Sequence, residues 1–312
     1  MEPSVVEVSG LTKKYPPDTT AVEGISFSIQ KGSVFSILGP NGAGKTTTVE
    51  ILEGLRTPTS GTVSVLGADI SKGYGPVRRR VGVLPQNFEP FDMLTPTEAV
   101  IYWADLFEVR VGRRDAERLL ERVGLESRKK AMSKTLSGGE KRKLGIALSI
   151  VNDPELLFLD EPTTGLDPRA RRDLWKLIEE AKAGGTTIVL TTHYLEEAER
   201  LADEVAIMHR GKIIAEGAPE ELVSAHGHGT SIVLVGAGQE GLRELSRRGI
   251  AAHEVDGDVV VSVEDRNELR KMFAKLSSIE VTYREMYTKR QTLEDVFLGL
   301  IGSRMDEGVL QE

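Results

Sequence analysis

The 312-residue sequence predicts an α/β fold with a buried parallel sheet, followed by a smaller α+β region. Near-continuous apolar stretches such as LLFLD and TTIVLTT alternate with helical patterns, which is typical of a parallel sheet covered on both faces. Small and polar residues interrupt this pattern at 224–230, SAHGHGT, which indicates a linker. We therefore expect three regions: a large domain at 1–226, a small domain at 230–302 and a tail at 303–312.

Hydrophobic periodicity predicts the elements of the large domain in order. Strands are expected over VVEVSGL, over VEGISFSIQKGSVFSILG with a turn at Lys31-Gly32, and over GTVSVLG and RVGVLPQ. A helix is expected from about Lys45 to Leu55, and a helical subdomain at about 95–152. LLFLD, a helix near 168–182, TTIVLTT, a helix over YLEEAERLA and a hairpin turning at Arg210-Gly211 complete the domain.

The composition is that of an ordinary globular protein, with 39% apolar and 28% charged residues. A net charge of −8 argues against a general nucleic-acid-binding surface. The absence of cysteine excludes disulfides and thiolate metal sites and fits a cytoplasmic location. The opening MEPSVVEVSG lacks the pattern of a signal peptide, and no stretch approaches the roughly 18 apolar residues of a membrane span.

A glycine-rich loop between a predicted strand and a predicted helix indicates a phosphate site. The stretch GPNGAGKTT matches the pattern G-x-x-x-x-G-K-[ST] in the context that this pattern requires, which a chance glycine-rich turn would lack. Its amides would wrap the α- and β-phosphates of a nucleotide, Lys45 would reach the β- and γ-phosphates, and the Thr46 hydroxyl would ligate Mg²⁺. The predicted phosphate site consists of Gly39, Pro40, Asn41, Gly42, Ala43, Gly44, Lys45, Thr46 and Thr47.

Two carboxylates end the apolar strand LLFLD. Asp160 at the strand tip can order Mg²⁺ through water, and Glu161 is placed to accept a proton from an attacking water. The alternative is an ordinary acidic pair at a strand end, and the phosphate loop upstream argues against it.

Three further residues are candidates because of where they follow strands or loops. His193 ends TTIVLTTH and can hydrogen-bond the γ-phosphate while holding the water against Glu161. Gln86 ends VGVLPQ, and its amide can sense Mg²⁺ or the γ-phosphate. Tyr15 in KKYPP can stack on adenine. The competing interpretations are a surface histidine, an ordinary glutamine and an exposed loop tyrosine.

A second candidate for anion binding lies in TLSGGEKRKL, where Ser137, Gly138, Gly139 and Glu140 precede a helical pattern. Ser-x-x-Glu predicts a capping box, with Ser137 bonded to the amide of Glu140 and Glu140 bonded back. A capping box does not require two glycines, whereas a helix start approached by an anion does favour them.

Together these residues resemble an ATP-binding-cassette (ABC) nucleotide-binding domain over residues 4 to about 222. The motifs appear in the order of that family: Tyr15, the Walker A loop, Gln86, the signature LSGGE, the Walker B strand LLFLD with Glu161, GLD at 165–167, and His193. The resemblance implies a P-loop fold with a mixed core sheet, an antiparallel β subdomain and a helical subdomain. It also implies ATP and Mg²⁺, with Thr46, Gln86 and Asp160 near the metal and Lys45, Glu161 and His193 in catalysis.

In this family two cassettes meet head to tail, so that each ATP lies between one Walker A loop and the partner's signature. The resemblance therefore implies a dimer, in identical or different halves, in which Ser137, Gly138 and Gly139 meet the partner's ATP and Asp167 lies at the interface. Where the family often has Gln, this chain has Glu140, which we interpret as a capping residue because a carboxylate would repel the γ-phosphate.

The resemblance extends to the branch that exports drugs, antibiotics and lipids, in which TLEDVFLGL often follows the cassette. It implies an ATPase subunit, peripheral on the inner face of the cell membrane, that drives separate polytopic subunits, with no nucleic acid as a partner. The loop NFEPFDML after Gln86 offers Phe88, Phe91 and Met93 as a coupling surface, or alternatively as packing under the helical subdomain.

Two other classes are weaker alternatives. A soluble ABC ATPase of DNA repair or translation usually carries a long coiled-coil insert or two cassettes, whereas only about ninety residues separate Thr46 from Ser137 here. A P-loop kinase or GTPase would lack the signature.

The region 230–302 predicts the order strand, helix, strand, strand, helix, strand, which is the ferredoxin-like pattern. A hairpin turns at Asp256-Gly257, the second helix starts near Asp265 or Asn267, and IEVTYREMY forms the last strand. One apolar stripe, expected to cover the open sheet face, consists of Leu293, Val296, Phe297, Leu300 and Ile301. Since no catalytic residues stand out, we expect regulation or dimer support, or alternatively a passive stabilising tail.

Overall fold

The computed structural model describes residues 3–226, 230–263, 266–290, 292–301, 305–306 and 309–310. The chain divides into two compact units, the first comprising Met1–Ala218 together with Ser303–Glu312 and the second comprising Pro219–Gly302. The division falls between Ala218 and Pro219, ahead of the boundary predicted near 226. No helix in the described part of the chain combines the length and hydrophobicity that a membrane span needs.

The first unit alternates strands and helices in the predicted order. Its elements are β1 (Ser4–Tyr15), β2 (Thr19–Gln30), β3 (Val34–Leu38), α1 (Lys45–Leu52), β4 (Ser60–Val65), β5 (Ala68–Asp69), β6 (Val81–Leu84), α2 (Pro96–Leu106), α3 (Arg113–Arg122), α4 (Gly138–Ser149), β7 (Leu156–Asp160), α5 (Pro168–Ala183), β8 (Thr187–Thr192), α6 (Leu195–Leu201), β9 (Glu204–His209) and β10 (Lys212–Gly217).

A mixed six-stranded sheet in the order β10-β9-β3-β8-β7-β6 forms the centre of this unit. Its neighbours pair parallel, except for the antiparallel hairpin of β9 and β10. Strands β3, β7 and β8 are buried at every residue, because helices or the second sheet cover both faces. Their carboxyl ends meet at one edge, where the chain continues into Gly39, Glu161 and His193.

Two further layers cover this sheet. An antiparallel sheet in the order β2-β1-β4-β5 shares one apolar core with α1 and with one face of the central sheet, including a stacked pair of Phe27 and Phe35 at 5.1 Å. The predicted helical subdomain forms as α2, α3 and α4, which share the core of the opposite face. Capping boxes start α2 at Thr95 and α4 at Ser137, so the predicted capping box of the signature is confirmed.

The second unit begins with a helix that hydrophobic periodicity did not predict. Its elements are α7 (Pro219–His226), β11 (Thr230–Val235), α8 (Gly238–Arg247), β12 (His253–Val255), β13 (Asp258–Val263), α9 (Arg266–Ser277), β14 (Glu285–Arg290) and α10 (Leu293–Ile301). Beyond it lie two short paired strands within the predicted tail, β15 (Met305–Asp306) and β16 (Val309–Leu310).

The four strands β12-β13-β11-β14 form an antiparallel sheet, with α8 and α9 sharing the core of one face. The hairpin between β12 and β13 turns at Asp256 and Gly257, whose φ values of 51° and 86° are those of a two-residue hairpin loop. Three residues of the predicted stripe, Leu293, Val296 and Phe297, are buried, whereas Leu300 and Ile301 are half-buried.

Two expectations for this unit need correction. The linker predicted at 224–230 is helical through His226, because α7 packs its buried Leu222 within a unit that also brings α10 against it. The last strand starts at Glu285 and not near 279, since the backbone turns after α9 and places Ile279 in the core. Helix α9 includes Asn267 from its first turn, and Asp265 lies outside the described residues.

Candidate functional site

The loop between β3 and α1 forms one wall of a cavity of about 490 Å³. Glycine is required at two of its positions, because a Cβ at Gly39 or at Gly44 would come within 2.3 Å of a backbone carbonyl oxygen. Gly44 also has a φ of 104°, which side chains rarely adopt. The start of α1 lines this cavity, and the first amides of a helix have no partners within the helix, so an anionic group in the cavity can approach them. The other lining residues are Tyr15, Thr19, Ala21, Gln86 and Glu161.

Lys45 is the first residue of α1, directly after this loop, and is 4% exposed. Its ammonium donates to the carbonyl oxygens of Gly39 at 2.9 Å and Pro40 at 3.2 Å, and it lies 3.3 Å from Oε1 of Glu161. Burial lowers the pKa of Lys45, and the charge of Glu161 opposes that shift. The loop thus holds a buried cation beside the acid that follows Walker B.

The hydroxyl oxygen of Thr46 and a carboxylate oxygen of Asp160 meet beside the loop. The Thr46 hydroxyl donates to Oδ1 of Asp160 at 3.3 Å, and the hydroxyl of Thr191 donates to the same oxygen. Burial raises the pKa of Asp160 above its usual range. Oxygen donors of this kind suit Mg²⁺, which usually binds one or two protein ligands together with substrate phosphates. The described residues contain no cluster of three or more acidic, histidine or cysteine side chains fit to hold a metal alone.

Glu161 is the point where the predicted catalytic residues converge. Gln86 Nε2 and the Thr164 hydroxyl each donate to Oε2 of Glu161 at 3.1 Å. His193 Nδ1 lies 3.3 Å from the same oxygen without a well-aligned hydrogen bond. Burial favours a raised pKa for Glu161, but the neighbouring His193 and the charge of Lys45 outweigh it and lower the pKa to about 2. The backbone of Glu161 has a φ of 45°, a strained value for this residue type that is common at functional sites.

Tyr15 lines the outer part of the same cavity. The ammonium of Lys13 lies 5.1 Å and the guanidinium of Arg56 5.6 Å from the centre of its ring. The half-buried ring offers a flat apolar surface in the same cavity as the phosphate loop, although Tyr15 is far from that loop in the sequence.

The signature residues and Asp167 do not appear in the lining of this cavity, as far as the structure describes it. Glu140 turns back to accept from the amide of Ser137 at 2.8 Å, and Arg128 Nε lies 3.2 Å from its other oxygen. Asp167 caps α5 by accepting from the amides of Arg169 and Ala170 at 2.9 and 3.0 Å. These residues therefore form a second group apart from the phosphate loop.

Neither signature glycine is required by its own chain. A Cβ at Gly138 would meet nothing within 4 Å, and one at Gly139 would make only ordinary contacts at 3.7 Å with Ala170 and Leu166. Both residues adopt helical conformations that any residue tolerates. Their small size leaves the helix start open to a group from outside.

Arg142, about one turn along the same helix, belongs to the site although the sequence did not single it out. Its guanidinium is 8% exposed and donates to five backbone carbonyl oxygens, those of Pro85, Gln86, Asp160, Glu161 and Pro162, at 2.6–2.9 Å. All five N–H donors of the side chain are thus used. Burial lowers its pKa to about 10. Its signal in the sequence is weak, because Arg142 stands between two other basic residues of the same helix, Lys141 and Lys143.

Comparison with known proteins identifies the family of this chain. The family model described as ABC transporter matches residues 22–164. A daunorubicin/doxorubicin resistance ATP-binding protein of Streptomyces peucetius is 38% identical, over 98% of this chain and 95% of that protein. A Nod factor export ATP-binding protein of Ralstonia nicotianae is 40% identical, over 96% of this chain and 95% of that protein.

The fold has a solved counterpart in a dimeric ATP-binding cassette in a post-hydrolysis state, bound to ADP and Pi. It is 26% identical to this chain with a TM-score of 0.63, and the match covers 68% of this chain and 98% of the cassette. The phosphate loop, the strand-end carboxylates and the signature occupy one cassette fold, and relatives match over nearly the whole length of the chain. The chain therefore belongs to the ABC transporter family of ATP-binding proteins and is an ABC-type ATPase.

Proposed function

We propose that this chain is the ATPase subunit of an exporter, binding and hydrolysing ATP to drive transport by separate membrane subunits. The observation that carries the proposal is the convergence of Lys45, Gln86 and His193 on Glu161 beside an open phosphate loop. The relatives support the transport role, because one is named for drug resistance and another for Nod factor export, and both align over almost the whole chain. These names do not favour the alternative of an ATPase linked to nucleic acid or ribosomes.

ATP would occupy the cavity with its phosphates at the loop and its base at Tyr15. The loop residues that line the cavity, Asn41 to Thr47, supply amides for the α- and β-phosphates, and Lys45 binds the β- and γ-phosphates. Thr46 and Asp160 would hold Mg²⁺, with Gln86 nearby, and the bound ion would neutralise charge on the phosphates. Tyr15 would stack on the adenine.

Glu161 would act as the general base that takes a proton from the attacking water. His193 and Gln86 position its carboxylate, and the buried surroundings limit the access of bulk water. A pKa of about 2 makes Glu161 a weak base, and both His193 and Lys45 contribute to this low value. A phosphate that draws Lys45 away would remove one of these contributions and would make Glu161 more basic. Substrate binding and base activation are coupled through this one ion pair.

The signature would serve the ATP of a second cassette. Gly138 and Gly139 have free space around them that their own chain does not use. Ser137 is the N-cap residue of the same helix. Glu140 is turned away onto Ser137 and Arg128, which reduces its repulsion of a phosphate. A head-to-tail dimer, in which Asp167 lies near the interface, would use both groups of residues at once.

The loop after Gln86 supports docking to polytopic subunits at the inner face of the membrane. Phe91 and Met93 are 47% and 73% exposed, whereas Phe88 packs on the core of the helical subdomain. Phe91 also makes an edge-on contact with Tyr102 at 5.4 Å, which extends the aromatic surface. Exposed aromatic side chains of this kind favour a protein partner, and no nucleic acid is expected.

We further infer that the second unit is a ferredoxin-like domain with a regulatory or dimer-supporting role. Its order of elements from β11 to β14, and the sheet order with β11 and β13 at the centre, support that assignment. The boundaries of this proposed domain lie near residues 218 and 302.

Mixed dimers test the shared site. Gly139→Asp should stop hydrolysis while each monomer still binds ATP, because the new side chain fits its own helix but repels the partner's γ-phosphate. Lys45→Ala should also be inactive. A mixture of the two variants should recover one working site per mixed dimer, measured as phosphate release. No recovery, or loss of ATP binding by the Gly139→Asp monomer, would contradict the shared site.

Pull-down of tagged chain from solubilised membranes tests the transport role. We expect a polytopic membrane protein to co-purify, and Met93→Asp together with Phe91→Asp should release it without lowering ATP hydrolysis by the isolated chain. Co-purification of ribosomes or DNA instead would support the alternative.

A further inference from the structure

The second unit contains a cavity of about 480 Å³ that the ATPase cycle does not use. Alternate residues of the central strands, including Ile232 and Val261, face α8 and α9 in the core, so Val233 and Val260 face the opposite side. These two valines form the apolar floor of the cavity, and Leu298 of α10 lies on its helical side. The volume falls within the roughly 300–1,000 Å³ of small-molecule sites.

The charged lining of this cavity is mostly negative. Four carboxylates contribute to it, against one ammonium: Asp256, Asp258, Glu294, Asp295 and Lys289. Lys289 lies 3.5 Å from Asp295, and Asp258 accepts from the amide of Gly236 at 2.7 Å. Asp256 and Glu294 form no hydrogen bond or ion pair with any residue in the described part of the chain. Two carboxylates are therefore available to a ligand.

A buried hydroxyl in the same lining also points to a ligand. Ser231 is 7% exposed and belongs to the strand face that carries Val233. Its hydroxyl has no hydrogen-bond partner among the residues that the structure describes. Since Ser231 lines the cavity, a group inside it can form a hydrogen bond with this hydroxyl.

We propose that this cavity binds an organic cation, that is, a hydrophobic molecule that carries a protonated amine or a delocalised positive charge. The hydrocarbon part contacts Val233, Val260 and Leu298, the charge lies against Asp256 and Glu294, and Ser231 supplies a hydrogen bond. A hydrophobic anion of the same shape is rejected, because it would face uncompensated carboxylates.

A second copy of the chain is a poorer occupant of this face. In a two-fold dimer the same residues meet each other, so Asp256 and Glu294 would approach the same carboxylates of the partner. Like charges brought together at an interface oppose association. A small cation gains from the same charges.

The test measures fluorescence anisotropy of rhodamine 123, a hydrophobic cation, on the full chain, with fluorescein as an anionic probe of the same ring type. We expect saturable binding of rhodamine 123 and at least about tenfold weaker binding of fluorescein. The double variant Asp256→Asn, Glu294→Gln should weaken the binding of rhodamine 123 at least about tenfold. Ser231→Leu should also weaken it, because the variant lacks the hydroxyl and narrows the cavity. Asn tolerates the positive φ of residue 256, so the double variant should keep its fold, which thermal melts check.

Glu240→Gln is the matched control, because it removes one exposed carboxylate from α8 on the other side of the sheet and should leave binding unchanged. Equal binding of both dyes, or equal binding of rhodamine 123 by wild type and the double variant, would overturn the proposal. So would light scattering that shows a change of oligomeric state in the double variant with dye binding unaltered, because that face would then belong to a second copy.

Discussion

The ammonium of Lys45 and the carboxylate of Glu161 lie 3.3 Å apart, and their side chains are only 4% and 5% exposed. The cation expected to bind phosphate is therefore paired with the acid expected to activate water. A phosphate that attracts Lys45 competes with Glu161 for the same charge, and the basicity of Glu161 rises as the pair loosens. We therefore expect this pair to link nucleotide binding to the basicity of Glu161.

Glu161→Gln should retain ATP binding and lose roughly 10²–10⁴ in turnover, the usual contribution of a general base. That loss corresponds to about 3–5 kcal/mol of activation free energy. Calorimetric titration with ATP and a phosphate-release assay separate the two effects, and ATP-bound dimers should accumulate in gel filtration. Turnover near that of wild type would remove Glu161 from this role.

Arg142→Met should destabilise the first unit by about 3 kcal/mol, because it leaves buried carbonyl oxygens of two separate loops without donors. We expect turnover to fall more than ATP affinity, since those carbonyls belong to the segments that hold Gln86 and Glu161. Denaturant unfolding and steady-state kinetics provide the two measurements.

Two matched variants sharpen this prediction. Arg142→Lys restores part of the donor set and should recover part of the stability and turnover. Lys141→Met removes a more exposed cation from the same helix, paired with the exposed Glu89, and should have little effect. Equal effects of the Met variants at 141 and 142 would show that the carbonyl contacts are unimportant.

Glu53 should make stability depend on pH. Its side chain is 6% exposed, one carboxylate oxygen has no hydrogen-bond partner in the described part of the chain, and burial, with Asp160 and Glu50, raises its pKa from 4.5 to about 8. Between these two values the folded chain binds a proton that the unfolded chain has released. Stability contributed by this group therefore falls as the pH rises from about 4.5 to about 8.

Glu53→Gln cannot ionise, so its melting temperature should fall less than that of wild type between pH 6 and 9. We expect the variant to be more stable by about 1–3 kcal/mol at the upper end of this range. Melting curves across the range measure the difference, with exposed Glu7→Gln as the control that should follow wild type. Parallel curves for wild type and Glu53→Gln would mean that Glu53 is ionised throughout.

Phe297→Asp should destabilise the second unit by at least about 3 kcal/mol, because it places a charge at a fully buried position of α10. ATP binding should be unaffected, and dimer formation should weaken if this unit supports it. Leu300→Asp on the same helix is half-buried and should cost less. Thermal melts and light scattering that both match wild type would rule out a packed role for the stripe.

Much of the architecture could be predicted because its causes are local in the chain. Continuous apolar strands mark a sheet covered on both faces, and a glycine-rich loop between strand and helix marks a phosphate site. The capping box of the signature and the two-residue turns at Arg210-Gly211 and Asp256-Gly257 follow from residue types at short fixed spacings. The helix α7 escaped prediction because its sequence, PEELVSAH, is short and merges into the polar stretch that follows it.

The sequence by itself therefore determined the order of elements, the phosphate loop and the residue types available for catalysis, since these depend on neighbours a few positions apart. Only the tertiary structure decided which of those groups touch. Arg142 meets carbonyls from 18 to 57 positions away, Lys45 meets a carboxylate across the sheet edge, and the surplus charge of the second cavity comes from a hairpin and a helix. Contacts of this kind arise when strand ends from distant parts of the chain converge, and periodicity along one segment carries no information about that convergence.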